Sequence, residues 1–311
     1  MNEKREMRKR NLLIKRKILS ERRAMENFLL DKTSFNDYLK NKISQYSDMP
    51  AVTDEYVKES MTYADFEKKC SSLSAFIQSF GIKRGDFIAI FSENHGKWAV
   101  CEQAAMRCGA ICTLRGSAAP VEELDYILSH SEAKGLILRD VKILKKLKEY
   151  IINHNLNFVL IMIKSDNDEI SEMNIPVFYM DDAVEIGKTK EFNPPEQCVD
   201  DYAVMMYTSG TTGNPKGVPQ THKNILSQMI ALERSLKCMK GENTLQILPV
   251  WHAYEHIGQL YFLSCGCHLH FTTLPRLKND LAKYKIDMMM SVPRIWEAIR
   301  LGIFQKLKQK V

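Results

Sequence analysis

The chain has 311 residues, 45% of them hydrophobic and 26% charged, a composition that supports a substantial core and excludes a largely disordered protein. No apolar run approaches the roughly 20 residues of a membrane-spanning helix, and the start lacks the apolar stretch and small-residue cleavage site of a signal peptide. The net charge of +6 is local: residues 1–23 hold ten Lys and Arg against three Glu, leaving 34 basic and 35 acidic residues elsewhere, so the body has no basic excess for nucleic acid.

The basic arm, residues 1–24, mixes its charges with Leu12, Leu13, Ile14, Ile18 and Leu19 at rough helical spacing. Three readings stand: a solvated extension, sequence ahead of a start at Met25, or a basic amphipathic helix making peripheral contact with an anionic membrane. From Phe35 the pattern is globular. Thr62 caps a predicted helix whose Phe66, Cys70, Leu73 and Ile77 recur at helical spacing, and Gly81 and Gly85 end it. A strand over 87–91, a helix over 97–107 closed by Gly109, a helix over 121–130, a strand over 135–138, a helix over 141–152 and a strand over 158–163 follow. Such alternation predicts an α/β fold with mainly parallel sheets. Residues 164–200 are polar, contain Pro194-Pro195 and read as irregular connection. The expected organisation is therefore the arm 1–24, a first α/β subdomain 25–195 and a second, truncated subdomain 196–311.

Eight cysteines without an export signal are expected to be free thiols in a reducing compartment, which points to the cytoplasm. Cys101, Cys108 and Cys112, at offsets of seven and four, are expected to share one helix face in the core. Cys265, Cys267, His268 and His270 crowd together, but they alternate like a strand and match no zinc module, so no metal is assigned to them.

The chemistry concentrates after residue 200. Residues 201–207 read as a strand, Thr208 to Lys216 as a loop rich in glycine and hydroxyls, and 221–237 as a helix capped by Thr221. Glycines let backbone approach phosphate oxygens closely, successive N–H groups and Ser/Thr hydroxyls donate to them, and a lysine adds a mobile positive charge. The Walker phosphate loop fails here, because Pro215 stands where it needs glycine and Gly217 where it needs a magnesium-binding hydroxyl.

The run from Tyr207 through Gly217 closely resembles the phosphate-binding signature of the adenylate-forming superfamily, which includes acyl-CoA synthetases, peptide-synthetase adenylation domains and luciferases. The resemblance extends over nearly all of the chain beyond the arm. It implies that Thr208, Ser209, Gly210, Thr211, Thr212, Gly213 and Lys216 contact the phosphates of ATP, with Mg2+ accompanying the nucleotide. Leu248 to Glu255 resembles the family's second core motif, which implies that Trp251, His252 and Tyr254 lie at the acyl-substrate pocket. Read from the residue alone, His252 is a core histidine with satisfied hydrogen bonds. Arg115-Gly116-Ser117, the Trp251–Glu255 run and Ser291 to Glu297 are most similar to the long-chain acyl-CoA and acyl-carrier-protein synthetase branch, although Arg294 and Trp296 also fit an ordinary helix start with a buried aromatic.

The resemblance implies that a fatty acid carboxylate attacks the α-phosphate of ATP, pyrophosphate leaves, and the thiol of CoA or of a carrier protein's pantetheine arm displaces AMP. It also implies that the adenine-binding segment, the ribose-binding aspartate and the mobile domain with the catalytic lysine lie outside these 311 residues. No catalytic residue is therefore assigned within them. The alternative is a non-catalytic relative that binds fatty acid or nucleotide.

Overall fold

A computed structural model describes Glu26 and residues 29–166, 168, 170, 173–208 and 213–308. The arm lies outside the described residues, as do positions 209–212 at the centre of the candidate loop. Among the described residues no helix is long and apolar enough to cross a membrane.

Helix α1 (Phe35–Ile43) starts at Ser34, whose hydroxyl accepts the Asp37 N–H. Strands β1 (Pro50–Asp54) and β2 (Glu59–Thr62) form an antiparallel pair ahead of α2 (Tyr63–Ser79). Thr62 caps α2 as expected: its hydroxyl accepts the Asp65 N–H, and the Asp65 carboxylate accepts the Thr62 N–H, so two of the helix's orphan donors are satisfied reciprocally. Then come β3 (Phe87–Phe91), α3 (Gly96–Arg107), β4 (Ile111–Arg115), α4 (Val121–Ser131), β5 (Gly135–Leu138), α5 (Val141–Ile151) and β6 (Phe158–Ile161). Each of these elements except β4 had a sequence signal. Cys112, however, lies on β4, while Cys101 is on α3 and Cys108 caps its end; all three are buried, and burial pushes their thiols up, Cys108 to about 12.

The segment read as irregular connection holds β7 (Val177–Tyr179) and α6 (Met180–Gly187). Both are too short for a hydrophobic period to show. Strand β8 (Tyr202–Thr208) follows, then β9 (Lys216–Thr221), α7 (His222–Ser235), β10 (Asn243–Gln246), α8 (Ala253–Ser264), β11 (His268–Phe271), α9 (Leu277–Tyr284), β12 (Met288–Met289) and α10 (Pro293–Lys308).

These strands make two sheets. The seven-stranded sheet runs β7-β6-β5-β3-β4-β8-β9, parallel throughout except for β9, which is antiparallel to β8. The five-stranded sheet runs β12-β10-β11-β1-β2, with β2 antiparallel at its edge. The expected boundary at 195 does not separate them. Strands β8 and β9 complete the sheet begun by β3 to β7, and β1 is hydrogen-bonded to β11 across more than two hundred residues.

Burial follows the layers. One face of the large sheet is covered by α4 and α5, around Phe91, Leu124, Leu138 and Leu147. The other packs on α2, α3 and α6, and this layer also meets the small sheet and α8. Helices α9 and α10 cover the far face of the small sheet through Leu277 and Ile295 against Leu245. Helix α3 lies between the sheets with every residue buried. Its charged side chains are paired accordingly: Lys97 with Asp181 at 2.7 Å, Arg107 with both oxygens of Glu67 at 2.9 and 2.7 Å, and Glu102 with His256 at 2.7 Å.

Candidate functional site

The site forms at the carboxyl ends of β3, β4 and β8. Connections from the adjacent β3 and β4 leave in opposite directions, because β4 lies on one side of β3 and β5 on the other. Such a switch point leaves a crevice, the usual place for a ligand in an open α/β sheet. Here the two departing loops clasp each other. The Ser92 N–H donates to the Arg115 carbonyl at 3.1 Å, the Ser117 hydroxyl donates to Glu93 at 2.6 Å, and the Ala118 N–H donates to the same carboxylate at 3.1 Å. The Arg115 guanidinium is held against Glu123 at 2.7 Å.

Strand β8 delivers the candidate phosphate loop. Its buried Tyr207 shares a 2.7 Å hydrogen bond with His130 on α4, which fixes the strand's last turn against the large sheet. Thr208 then pairs with Lys216 of β9 in antiparallel register. The sequence reading had a strand, a loop and then a helix; the structure inserts β9, so the loop is the tip of a hairpin and not a helix N-terminus. A six-residue strand containing Gly217 and Pro219 carries little strand signal of its own, and pairing with β8 is what extends it. A Cβ at Gly217 would stand 2.7 Å from Met205 Sδ, so a side chain there would displace the Met205 thioether.

Thr208, Gly213 and Lys216 are exposed at this tip, while Ser209, Gly210, Thr211 and Thr212 fall outside the described residues. Gly213 has φ +151°, a backbone conformation that disfavours a side chain, with open space where a Cβ would stand. Among the described residues no carboxylate pairs with Lys216. An exposed ammonium beside an open glycine is the donor set a polyphosphate needs.

Trp251 and His252 come to the same edge from the other sheet. The Trp251 ring lies directly on Gly116, where a Cβ would meet the indole at 2.5 Å, so only glycine admits this approach. His252 is the N-cap residue of α8, its ring tilted against Trp251 at 6.2 Å. The ring is exposed enough to meet a ligand, which departs from the core-histidine reading. Partial burial, and then the positive charge of Arg115, lower its pKa and favour the neutral imidazole.

Tyr254 stands apart from these two. It lines a groove of about 490 Å³ with Gln220, Asn224, Leu232, Ile257 and Met290, between β9, α7 and α8. The wall is mainly apolar and begins on the strand that carries Lys216. Trp251 and His252 do not line it. Farther along, Arg294 and Trp296 do open a helix, α10, but Trp296 is 54% exposed, so the buried-aromatic alternative does not hold.

Sequence reasoning missed two buried groups beneath this surface. Glu255 has no exposed surface, and burial pushes its carboxyl up to about 8 despite hydrogen bonds from the Ile247 and Leu248 N–H groups and from Asn94. Asn94, on the loop after β3, donates to the Leu248 carbonyl at 3.2 Å and to Glu255 at 3.5 Å, so it holds the motif that carries Trp251. The Glu102–His256 pair joins α3 to the same helix with both side chains fully buried. Glu255 was visible as the end of the motif, but nothing in the local sequence signals that it is buried.

Comparison with known proteins gives the same picture. The model of a family described as AMP-binding enzyme matches residues 39–310. The chain is 30% identical over 286 residues to the chloroplastic long-chain-fatty-acid–acyl-carrier-protein ligase AEE15 of Arabidopsis thaliana, covering 87% of this chain and 39% of that protein. It is 25% identical to long chain acyl-CoA synthetase 1 of the same plant, over 83% of this chain and 41% of that protein. The N-terminal domain of FACL13 from Mycobacterium tuberculosis shares the fold, with a TM-score of 0.70 at 20% identity over 86% of this chain and 65% of that one. The chain thus spans about two fifths of the length of these curated relatives. With a family match over nearly all of its globular part, and the loop, motif and sheet edge brought together as described, this chain belongs to the AMP-binding enzyme family.

Proposed function

We propose that this chain supplies the phosphate-holding and acyl-holding surfaces of an AMP-forming ligase that activates a long-chain fatty acid. The observation that carries the reading is the hairpin tip with Lys216 next to an apolar groove of about 490 Å³ on the same strand. The carboxylate oxygen attacks the α-phosphate of ATP and pyrophosphate leaves. The resulting acyl-adenylate then loses AMP to a thiol. The acceptor is a pantetheine thiol, the group that CoA and acyl carrier protein share, and both acceptors occur in the relatives' names.

Little of the first step is covalent chemistry for the protein. Its task is positioning and the neutralisation of charge on phosphate oxygens, which suits Lys216 and the hydroxyls from Thr208 to Thr212. Mg2+ is taken to enter on the nucleotide's own phosphates, since this ion keeps most of its water and needs few protein ligands. The groove takes the acyl chain, each buried methylene contributing about 0.8 kcal/mol. The neutral His252 and the Trp251 ring sit at the edge where carboxylate and phosphate meet. The basic arm is proposed to hold the enzyme against an anionic membrane surface, where its substrates reside.

Titration of the purified 311-residue chain with ATP tests this. We expect binding in the wild type and a loss of about 10- to 100-fold in Lys216→Ala, the weight of one charge-assisted hydrogen-bonding group. Acyl-adenylate formation by this chain alone is expected to be negligible, because it spans only about two fifths of the length of the ligases it resembles. Equal affinity in wild type and variant, or rapid pyrophosphate release by the chain alone, overturns the proposal.

A further inference from the structure

On the side of the small sheet that carries neither the hairpin tip nor Trp251, two turns are zipped together. The Gly241 N–H donates to the Gly266 carbonyl at 2.8 Å, and the His268 N–H donates to the Glu242 carbonyl at 2.8 Å. The first turn precedes β10 and carries Cys238 and Glu242. The second follows α8 and carries Cys265 and Cys267. Their chain positions are far apart, which is why the cysteines gave no recognisable zinc spacing.

The turns bring the thiols of Cys238 and Cys267 and a carboxylate oxygen of Glu242 within 4.8 Å of one another. Cys265, which lines the same cavity as Cys238, adds a third thiol at the edge of this group. The Met288 thioether stands 3.2 Å from Cys238 Sγ. The Glu242 carboxylate is fixed by the Met239 N–H at 2.9 Å, the kind of outer hydrogen bond that orients a metal ligand. Cys267 is fully buried, and Cys238 and Glu242 are half-buried. His268 and His270 are not part of the group: they bond Thr53 at 2.9 Å and Asn243 at 3.0 Å.

We propose that Cys238, Cys267 and Glu242 bind a thiophilic divalent cation of the Zn2+ type, with Cys265 completing a tetrahedron. Zinc–sulfur bonds of about 2.3 Å in that geometry set ligand atoms roughly 3.3–3.8 Å apart, so the spread of at most 4.8 Å among Cys238, Cys267 and Glu242 closes by small side-chain rotations, and Cys265, outside that spread, turns in as the fourth ligand. The thiols deposit their protons in solvent on binding. A cavity of about 360 Å³ opens onto Cys238 and Cys265 as an entry path, and its Lys42, Lys237 and Lys240 offset the negative charge of a thiolate-rich site. None of the ligands belongs to the nucleotide or acyl surfaces, so the ion's role is structural: it pins the end of α8 to the entry into β10, and the proposal stands independently of the function above.

The test is a Co2+ titration of the reduced, metal-free 311-residue chain. One equivalent is expected to produce a sulfur-to-cobalt charge-transfer band with tetrahedral visible absorption. Cys238→Ser and Cys267→Ser abolish it, Glu242→Gln weakens binding at least tenfold, and Cys198→Ser, at an exposed cysteine outside the group, leaves it unchanged. Protection of the half-buried Cys238 from alkylation by Zn2+ in the unsubstituted chain, read by mass spectrometry, gives the same answer where a variant fails to fold. Cobalt bound without the thiolate band, a band that survives both serine variants, or alkylation unaffected by Zn2+ overturns the assignment.

Discussion

Glu255 shows how one residue's surroundings set its chemistry. Its carboxyl, fully buried at the first turn of α8, is pushed up to about 8 from an ordinary value of 4.5. Between those values the folded chain holds a proton that the unfolded chain has released. Stability therefore falls as pH rises from about 4.5 to about 8, by up to about 1.4 kcal/mol per pH unit from this group. Urea unfolding midpoints taken from pH 5 to pH 8 are expected to decline in the wild type and to flatten in Glu255→Gln, which keeps the shape without the titration. The same slope in both proteins would assign it to another group. Lys216 has the opposite character. It is exposed, so its removal is expected to cost nucleotide affinity and little stability.

At the scale of elements, α7 connects helix capping to the groove proposed to hold the acyl chain. Thr221 and Asn224 form a capping box: the Asn224 N–H donates to the Thr221 hydroxyl at 3.1 Å, and the Asn224 side chain accepts the Thr221 N–H at 3.0 Å. Asn224 also lines the groove. Thr221→Ala is expected to lose about 1 kcal/mol of stability, measurable by chemical denaturation, and to free Asn224 to move within the groove. An unchanged midpoint would mean that tertiary packing alone holds the start of α7. The hairpin of β8 and β9 matters at this scale for a different reason. By ending the candidate loop on a strand, it leaves Lys216 and not a helix dipole as the positive charge of the proposed phosphate site.

For the whole molecule, the two sheets share segments from both ends of the chain. Strand β1 pairs with β11, β4 pairs with β8, and α3 with its paired charges fills the space between the sheets. A chain cut at 195 would leave each piece with an unpaired strand edge and an exposed face of α3 or α8. Separately expressed fragments 25–195 and 196–311 are therefore expected to show no cooperative unfolding, while the intact chain gives a single transition by circular dichroism. Sharp transitions in both fragments would restore the boundary at 195.

The sequence by itself determined the α/β class, the caps at Thr62 and Thr221 and most of the parallel strands, and it singled out the run from Thr208 to Lys216 as the candidate phosphate loop. Each of these rests on local signals: hydrophobic period, capping chemistry and a contiguous motif. Only the tertiary structure decided that the sheets interleave, that β9 intervenes between loop and helix, that Trp251 lies on Gly116, that Glu255 is buried, and that Cys238 meets Cys267. Each of these depends on contacts between residues distant in the chain. Strand partners and burial are set by the lowest free energy of the whole packing, and a short segment carries no record of what will cover it.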